Sequence, residues 1–149
     1  MAELQTAYVE DIAPGHAGMV ANGETSNRIS RTIEDAAGIA FGKAAFRGAG
    51  DHGCSATGTA AAFLGFTIAH EVLSPLDGGP DLYARYTNVP IMTLGAIWVA
   101  VGAAVADGEQ VHVTPAGAIT NVATGNVITA GWFFDTTAAS GSLVRIVKR

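Results

Sequence analysis

The chain of 149 residues has a single cysteine, Cys54. No internal disulfide can form, so no disulfide framework holds the fold, and a reducing site of synthesis suits it. Charged residues make up only 14% of the chain, which excludes a charge-rich disordered polymer. Eight basic residues stand against 13 acidic ones, a formal net charge of -5. That balance lacks the general attraction to phosphate backbones on which a free-standing nucleic-acid binder depends, so no nucleic-acid partner is expected. Residues 1–10 have neither a basic stretch nor an apolar one, and no signal peptide is visible. The chain also lacks any 20- to 50-residue repeat, which leaves solenoids and propellers unsupported. A G-x-S-x-G elbow, a G-x-x-x-x-G-K-[ST] phosphate loop and an H-E-x-x-H helix are all missing.

What is present is apolar and glycine-rich: 49% hydrophobic residues with 19 glycines, a composition of strands and turns rather than helices. The length is that of one domain, which buries about two-thirds of its unfolded surface. The one long uncharged run, Tyr86 to Ala106, is long enough to cross a bilayer as a helix. Pro90, Gly95 and Gly102 interrupt it, so it reads instead as two short buried strands joined by a turn, 89–94 and 97–101. No membrane partner is expected. Further strand-like pieces lie at 28–34, 38–47, 63–72, 111–114, 127–134 and 143–148, about eight in all, separated by Gly-, Pro- and Asp-bearing turns. In 28–34, Ile29, Arg31 and Ile33 share one face, with Arg31 the exception on it. Cys54 to Ala62 reads as loop, with room for one helical turn at its alanines. Many short strands in series specify an all-β sandwich or barrel.

Residues 1–27 have no sustained period. Tyr8, Val9, Ile12, Met19 and Val20 are isolated apolar anchors, so the segment reads as an extended arm on a β domain of residues 28–149. Fully extended, Ala2 to Gly18 would reach about 55 Å, further than the radius of such a domain, and could touch a neighbouring subunit. The arm carries Glu3, Glu10 and Asp11, whereas the last residues carry Arg145, Lys148 and Arg149, so the two ends can attract each other between subunits.

Candidate chemistry is sparse. Asp51, His52 and Cys54 form the only local cluster of metal-ligating types, and their spacing matches no zinc-chelating loop; no metal site is expected. Cys54 as a nucleophile would need His70 or His112 brought to it by the fold. Asp77, Asp81, Asp107 and Glu109 sit in turns, where carboxylates commonly bond the turn backbone. Trp98 is expected in the core. Trp132-Phe133-Phe134 must send a ring to each side of a strand, which suggests an interface. The residues singled out for partner contact are Tyr8, Val9, Ile12, Met19, Trp132, Phe134, Arg145 and Arg149; no residue is assigned to catalysis and no cofactor is expected.

Three stretches, Thr6-Ala7-Tyr8-Val9-Glu10, Gly18-Met19-Val20-Ala21-Asn22 and Ile29-Ser30-Arg31-Thr32-Ile33-Glu34, together resemble the opening of tailed-phage head decoration proteins of the structural cement family. Gly95-Ala96-Ile97-Trp98-Val99, Val111 to Gly117 and Trp132-Phe133-Phe134-Asp135-Thr136 continue the resemblance in order across nearly the whole chain. It implies a small β-rich virion protein on the outer surface of the capsid, made in the host cytoplasm. Such a protein bridges subunits of the major capsid protein and stabilises the shell without catalysis. Its partners would be the major capsid protein and itself, as a homodimer rather than a homotrimer. The competing readings are a β-sandwich carbohydrate-binding module built on the aromatic cluster and the turn-borne Asp77, Asp81 and Asp107, and an enzyme built on Cys54.

Overall fold

A computed structural model describes residues 15–70 and 81–149. It is all-β, with eleven strands where the sequence pattern suggests about eight. They are β1 (Asn27–Ile33), β2 (Ile39–Ala40), β3 (Ala44–Arg47), β4 (Gly53–Ser55), β5 (Phe63–Thr67), β6 (Leu82–Tyr83), β7 (Asn88–Ala100), β8 (Gln110–Val113), β9 (Ile119–Thr120), β10 (Val127–Phe134) and β11 (Leu143–Lys148). One 3-10 turn, Ala60–Ala62, occupies the alanine stretch.

The segment expected to be two strands and a turn is a single strand, the 13-residue β7. The reason lies in Gly95, whose φ of +125° is closed to other residues in practice and which abuts Ser26 and Met92. It makes a kink within the strand rather than a turn. It also resets the alternation: Val89 and Ile91 point into a small core, Met92 points into a larger one, and beyond the kink Ile97 and Val99 face that larger core too. A strand that kept its period of two would have sent Ile97 to the other side.

β7 belongs to two assemblies. Its first half closes a ring of five strands, β1-β4-β3-β5-β7 and back to β1. The β1–β4 pair is parallel and the others are antiparallel. Inside the ring lie Ile33, Ala45, Cys54, Val89 and Ile91, with Ile39 on the same cluster. Arg31 pairs with Val89, so it does share the face of Ile29 and Ile33. The second half of β7 continues into β11-β10-β8-β9. A bridge from Val101 to Ile119, with Gly102 N–H donating to Ile119 O at 2.9 Å, brings β9 back beside the end of β7.

The larger core fills the space between the second sheet and the outside of the ring. Phe46, Phe66 and Met92 from the ring meet Ile97, Val99, Val111, Trp132, Phe134, Val144 and Ile146. A chain of edge-on rings runs through it: Phe46–Phe63 at 5.6 Å, Phe63–Phe66 at 5.4 Å and Phe66–Trp132 at 5.0 Å between centroids. Trp98, expected here, is only half-buried and pairs with Arg145 of β11.

Residues 18–21 run along the free side of the second half of β7. Gly18 N–H donates to Trp98 O at 2.7 Å, Trp98 N–H to Met19 O at 2.9 Å and Ala21 N–H to Ala96 O at 2.9 Å, while Ala69 N–H donates to Gly18 O at 2.8 Å. This part of the segment read as an arm is thus hydrogen-bonded to the domain, with an isolated antiparallel bridge from Val20 to Ile97.

Candidate functional site

Three carboxylates, Glu34, Asp35 and Glu109, are bonded to the backbone. Glu34, at the end of β1, accepts hydrogen bonds from Ala49 N–H at 2.7 Å and Gly50 N–H at 2.8 Å. A Cβ on Gly53 would overlap that carboxylate, so the turn closes around it only with glycine there. Asp35 accepts from Ser55 Oγ at 3.0 Å and from Ala56 N–H. Two adjacent acids therefore fix both flanks of β4. Glu109 accepts from Ala106 N–H and Asn121 Nδ2, both at 2.8 Å, and these bonds hold its carboxyl below the usual range.

Cys54 is fully buried. Burial, then the charges of Asp35 and Glu34, push its thiol up to about 11. A thiol in that state, closed off from solvent, is a poor nucleophile at neutral pH. His52 is exposed while Cys54 lies in the core, so the local cluster does not converge. Among the described residues no group of three His, Cys, Asp or Glu side chains is placed to hold a metal ion, and no helix is long and apolar enough to cross a membrane.

The residues singled out for partner contact divide. Tyr8, Val9 and Ile12, with Glu3, Glu10, Asp11 and Asp77, lie outside the described residues. Met19 is half-buried in the segment joined to β7. Trp132 and Phe134 are corrected: they are buried at 0% and 1% exposure, and it is Phe133 that faces outward at 43%. The cause is Gly131, whose φ of +81° accompanies a register shift in β10, so that Thr129, Trp132 and Phe134 all point inward. Burial also removes Trp132 and Phe134 from any sugar-stacking platform. The Trp132 indole N–H has no acceptor among the described residues.

Arg145 and Arg149 are engaged within the chain. Arg145 Nε donates to Asp135 Oδ2 at 2.7 Å. Arg149 donates to Glu24 Oε1 at 2.8 Å and Oε2 at 3.2 Å, and reaches Asp135 Oδ1 at 3.4 Å. The bond from Arg149 holds the Glu24 carboxyl below its ordinary value. Their described partners are thus Glu24 and Asp135. The other six of the eight basic residues make no ion pair among the described residues.

Outward apolar surface remains at Phe133 and Ile128, both 43% exposed, Val122 at 51% and Tyr86 at 71%. On β10, Phe133 and Ile128 stand opposite Gln110 and the buried His112 of β8. Sequence reasoning missed Tyr86, which carries no motif and whose backbone conformation no pattern announces.

A chain in the solved capsid of Myoviridae phage XM1 is 19% identical, with a TM-score of 0.69 over 97% of this chain and 96% of that one. At that identity the likeness speaks for the fold. The N base of the head fibre gp8.5 of bacteriophage phi29 is 13% identical, with a TM-score of 0.44 over 84% of this chain and 95% of that one. No curated protein matches. The family model for structural cement protein (E217 gp24/Pam3 gp6) matches residues 4–148, nearly the entire length, and the chain belongs to that structural cement family.

Proposed function

We propose that this protein attaches to the outer surface of an assembled phage head and ties neighbouring major capsid protein subunits together, as a homodimer and without catalysing a reaction. The family match over residues 4–148 carries this reading. The engagement of Glu34, Asp35 and Cys54 in the fold itself supports it. Cement proteins act by burying modest surface at many symmetric copies, so the lattice as a whole gains from repetition.

In this reading the strap is residues 1–14, with Tyr8, Val9 and Ile12 as anchors. A strap that must reach from one subunit to the next favours a finished lattice with correctly spaced subunits over free ones. The test is sedimentation of purified protein with heads that lack it, counting bound copies. Saturation at a number commensurate with the icosahedral lattice is expected, and no co-sedimentation with cognate heads would overturn the proposal. A chain lacking residues 1–14 should bind less. The deletion stops there because Gly18 and Met19 are bonded into the edge of β7.

A further inference from the structure

Tyr86 is the most exposed large apolar side chain among the described residues, at 71%. Its backbone stands at φ +66°, a conformation that bulky L residues rarely adopt because Cβ crowds the neighbouring carbonyl. The turn is fastened firmly. Tyr86 N–H donates to Ile33 O at 2.8 Å, Ile33 N–H donates to Thr87 O at 3.0 Å, and Thr87 Oγ donates to Ala84 O at 2.6 Å. These bonds tie the turn to the end of β1, a member of the closed ring. The tyrosine ring gains little packing from this: the Arg85 guanidinium lies over it, 4.6 Å from its centroid. Glycine or asparagine would meet the demands of the turn with less strain. What tyrosine adds is therefore a large ring held outward on a rigid mount.

We propose that Tyr86 and Arg85 form a preformed docking knob that enters a shallow apolar socket, with a carboxylate at its rim, on a subunit of the assembled shell. This deepens the decoration reading and rests on it. A rigid aromatic loses little side-chain entropy on docking, and tyrosine and arginine are the residue types that dominate binding energy at interfaces. Arg85 has no ion pair among the described residues. Held over the ring by its Cζ, the guanidinium has N–H donors left for an acceptor, and a carboxylate fits that fork best. Phe133 and Ile128 are also exposed, but strands often leave apolar side chains half-exposed, so they carry no comparable signal.

The test measures Kd for heads lacking the protein, by sedimentation over a range of concentrations, together with the Tm of each variant. Tyr86→Asn should weaken binding about tenfold or more while Tm stays level or rises, because asparagine tolerates the same φ. Tyr86→Phe should bind within roughly threefold of the parent, and Arg85→Glu should bind several-fold more weakly. A parent chain that fails to bind would overturn the decoration reading itself and is read first. If the parent binds, Tyr86→Asn binding equally well would overturn the knob, as would a fall in its Tm, which would make the ring structural. Unchanged binding by Arg85→Glu would overturn the carboxylate rim.

Discussion

The ring built on residues 88–94 of β7 and the sheet built on residues 96–100 keep their shapes by different means. In the ring the fully buried interior is a short set without an aromatic ring, Ile33, Ala45, Cys54, Val89 and Ile91 with Ile39 beside them, and the five strands close on themselves. Precision comes from Glu34 and Asp35, which fix the turns on either side of β4. In the sheet the interior is large and aromatic, closure is limited to the contact of Val101 and Gly102 with Ile119, and ion pairs join the rim. The lesson is that a small interior leans more on polar pins than a large one, which has its own pin at Glu109 but is filled by packed rings. Burying a ring the size of Trp132 stabilises by several times the net contribution of one hydrogen bond.

The largest effect should come from Trp132→Ala, which removes the contact between the sheet and Phe66 of the ring. A loss of about 3–5 kcal/mol in urea unfolding is expected. One transition should persist, because β7 is common to both halves; two separated transitions would break the view that they unfold together. Gly95→Ala comes next, at roughly 3 kcal/mol, since a Cβ there meets Ser26 Cβ at 2.8 Å in a backbone conformation closed to alanine. Asp35→Ala should cost about 2 kcal/mol by leaving Ser55 and Ala56 N–H without their acceptor. Its sharper signature is local: faster amide exchange at Ala56, with β10 and β11 unchanged. If exchange rose equally in both halves, the distinction between pinned ring and packed sheet would fail.

The smallest effect is on stability at alkaline pH, and it should arise from Cys54 and Tyr83. Burial pushes the Cys54 thiol up to about 11 and the Tyr83 hydroxyl up to about 12. For both groups the folded state favours the neutral form. Their contribution to stability is therefore complete below the ordinary values of 9.0 and 10.0, and it is lost as pH rises through 11 and 12. Unfolding measured between pH 8 and 11 should show falling stability, and Cys54→Ala should flatten the lower part of that fall. A thiol reagent at pH 8 should label Cys54 only at the rate at which the ring opens.

Some of this was legible in the sequence. Alternation and flanking turns located β10 at 127–134 and β11 at 143–148, with the bounds the structure has. The two-residue strands β2, β6 and β9 are too short to show a period. At Gly95 and Gly131 the pattern misled for a shared reason: a glycine at positive φ inside a strand shifts which side chains face in, and composition does not distinguish that from a turn. Hence β7 read as two strands, and Trp132 and Phe134 were assigned to the surface in place of Phe133. The anchoring of Glu34 by residues 49 and 50 is a long-range contact that no local window contains. The functional reading was legible from the succession of motifs along the chain, although Tyr86 and its φ were not.

The shared strand has a mechanical consequence. β7 runs 13 residues, roughly 43 Å at about 3.3 Å per residue, and along that span it is flanked on both sides, by β1 and β5 in one half and by β11 and residues 18–21 in the other. A pull along this spar loads its ladders in shear, many bonds at once, instead of unzipping them singly. If the two halves grip different shell subunits, swelling of the head is borne by one continuous backbone acting as a tie rod.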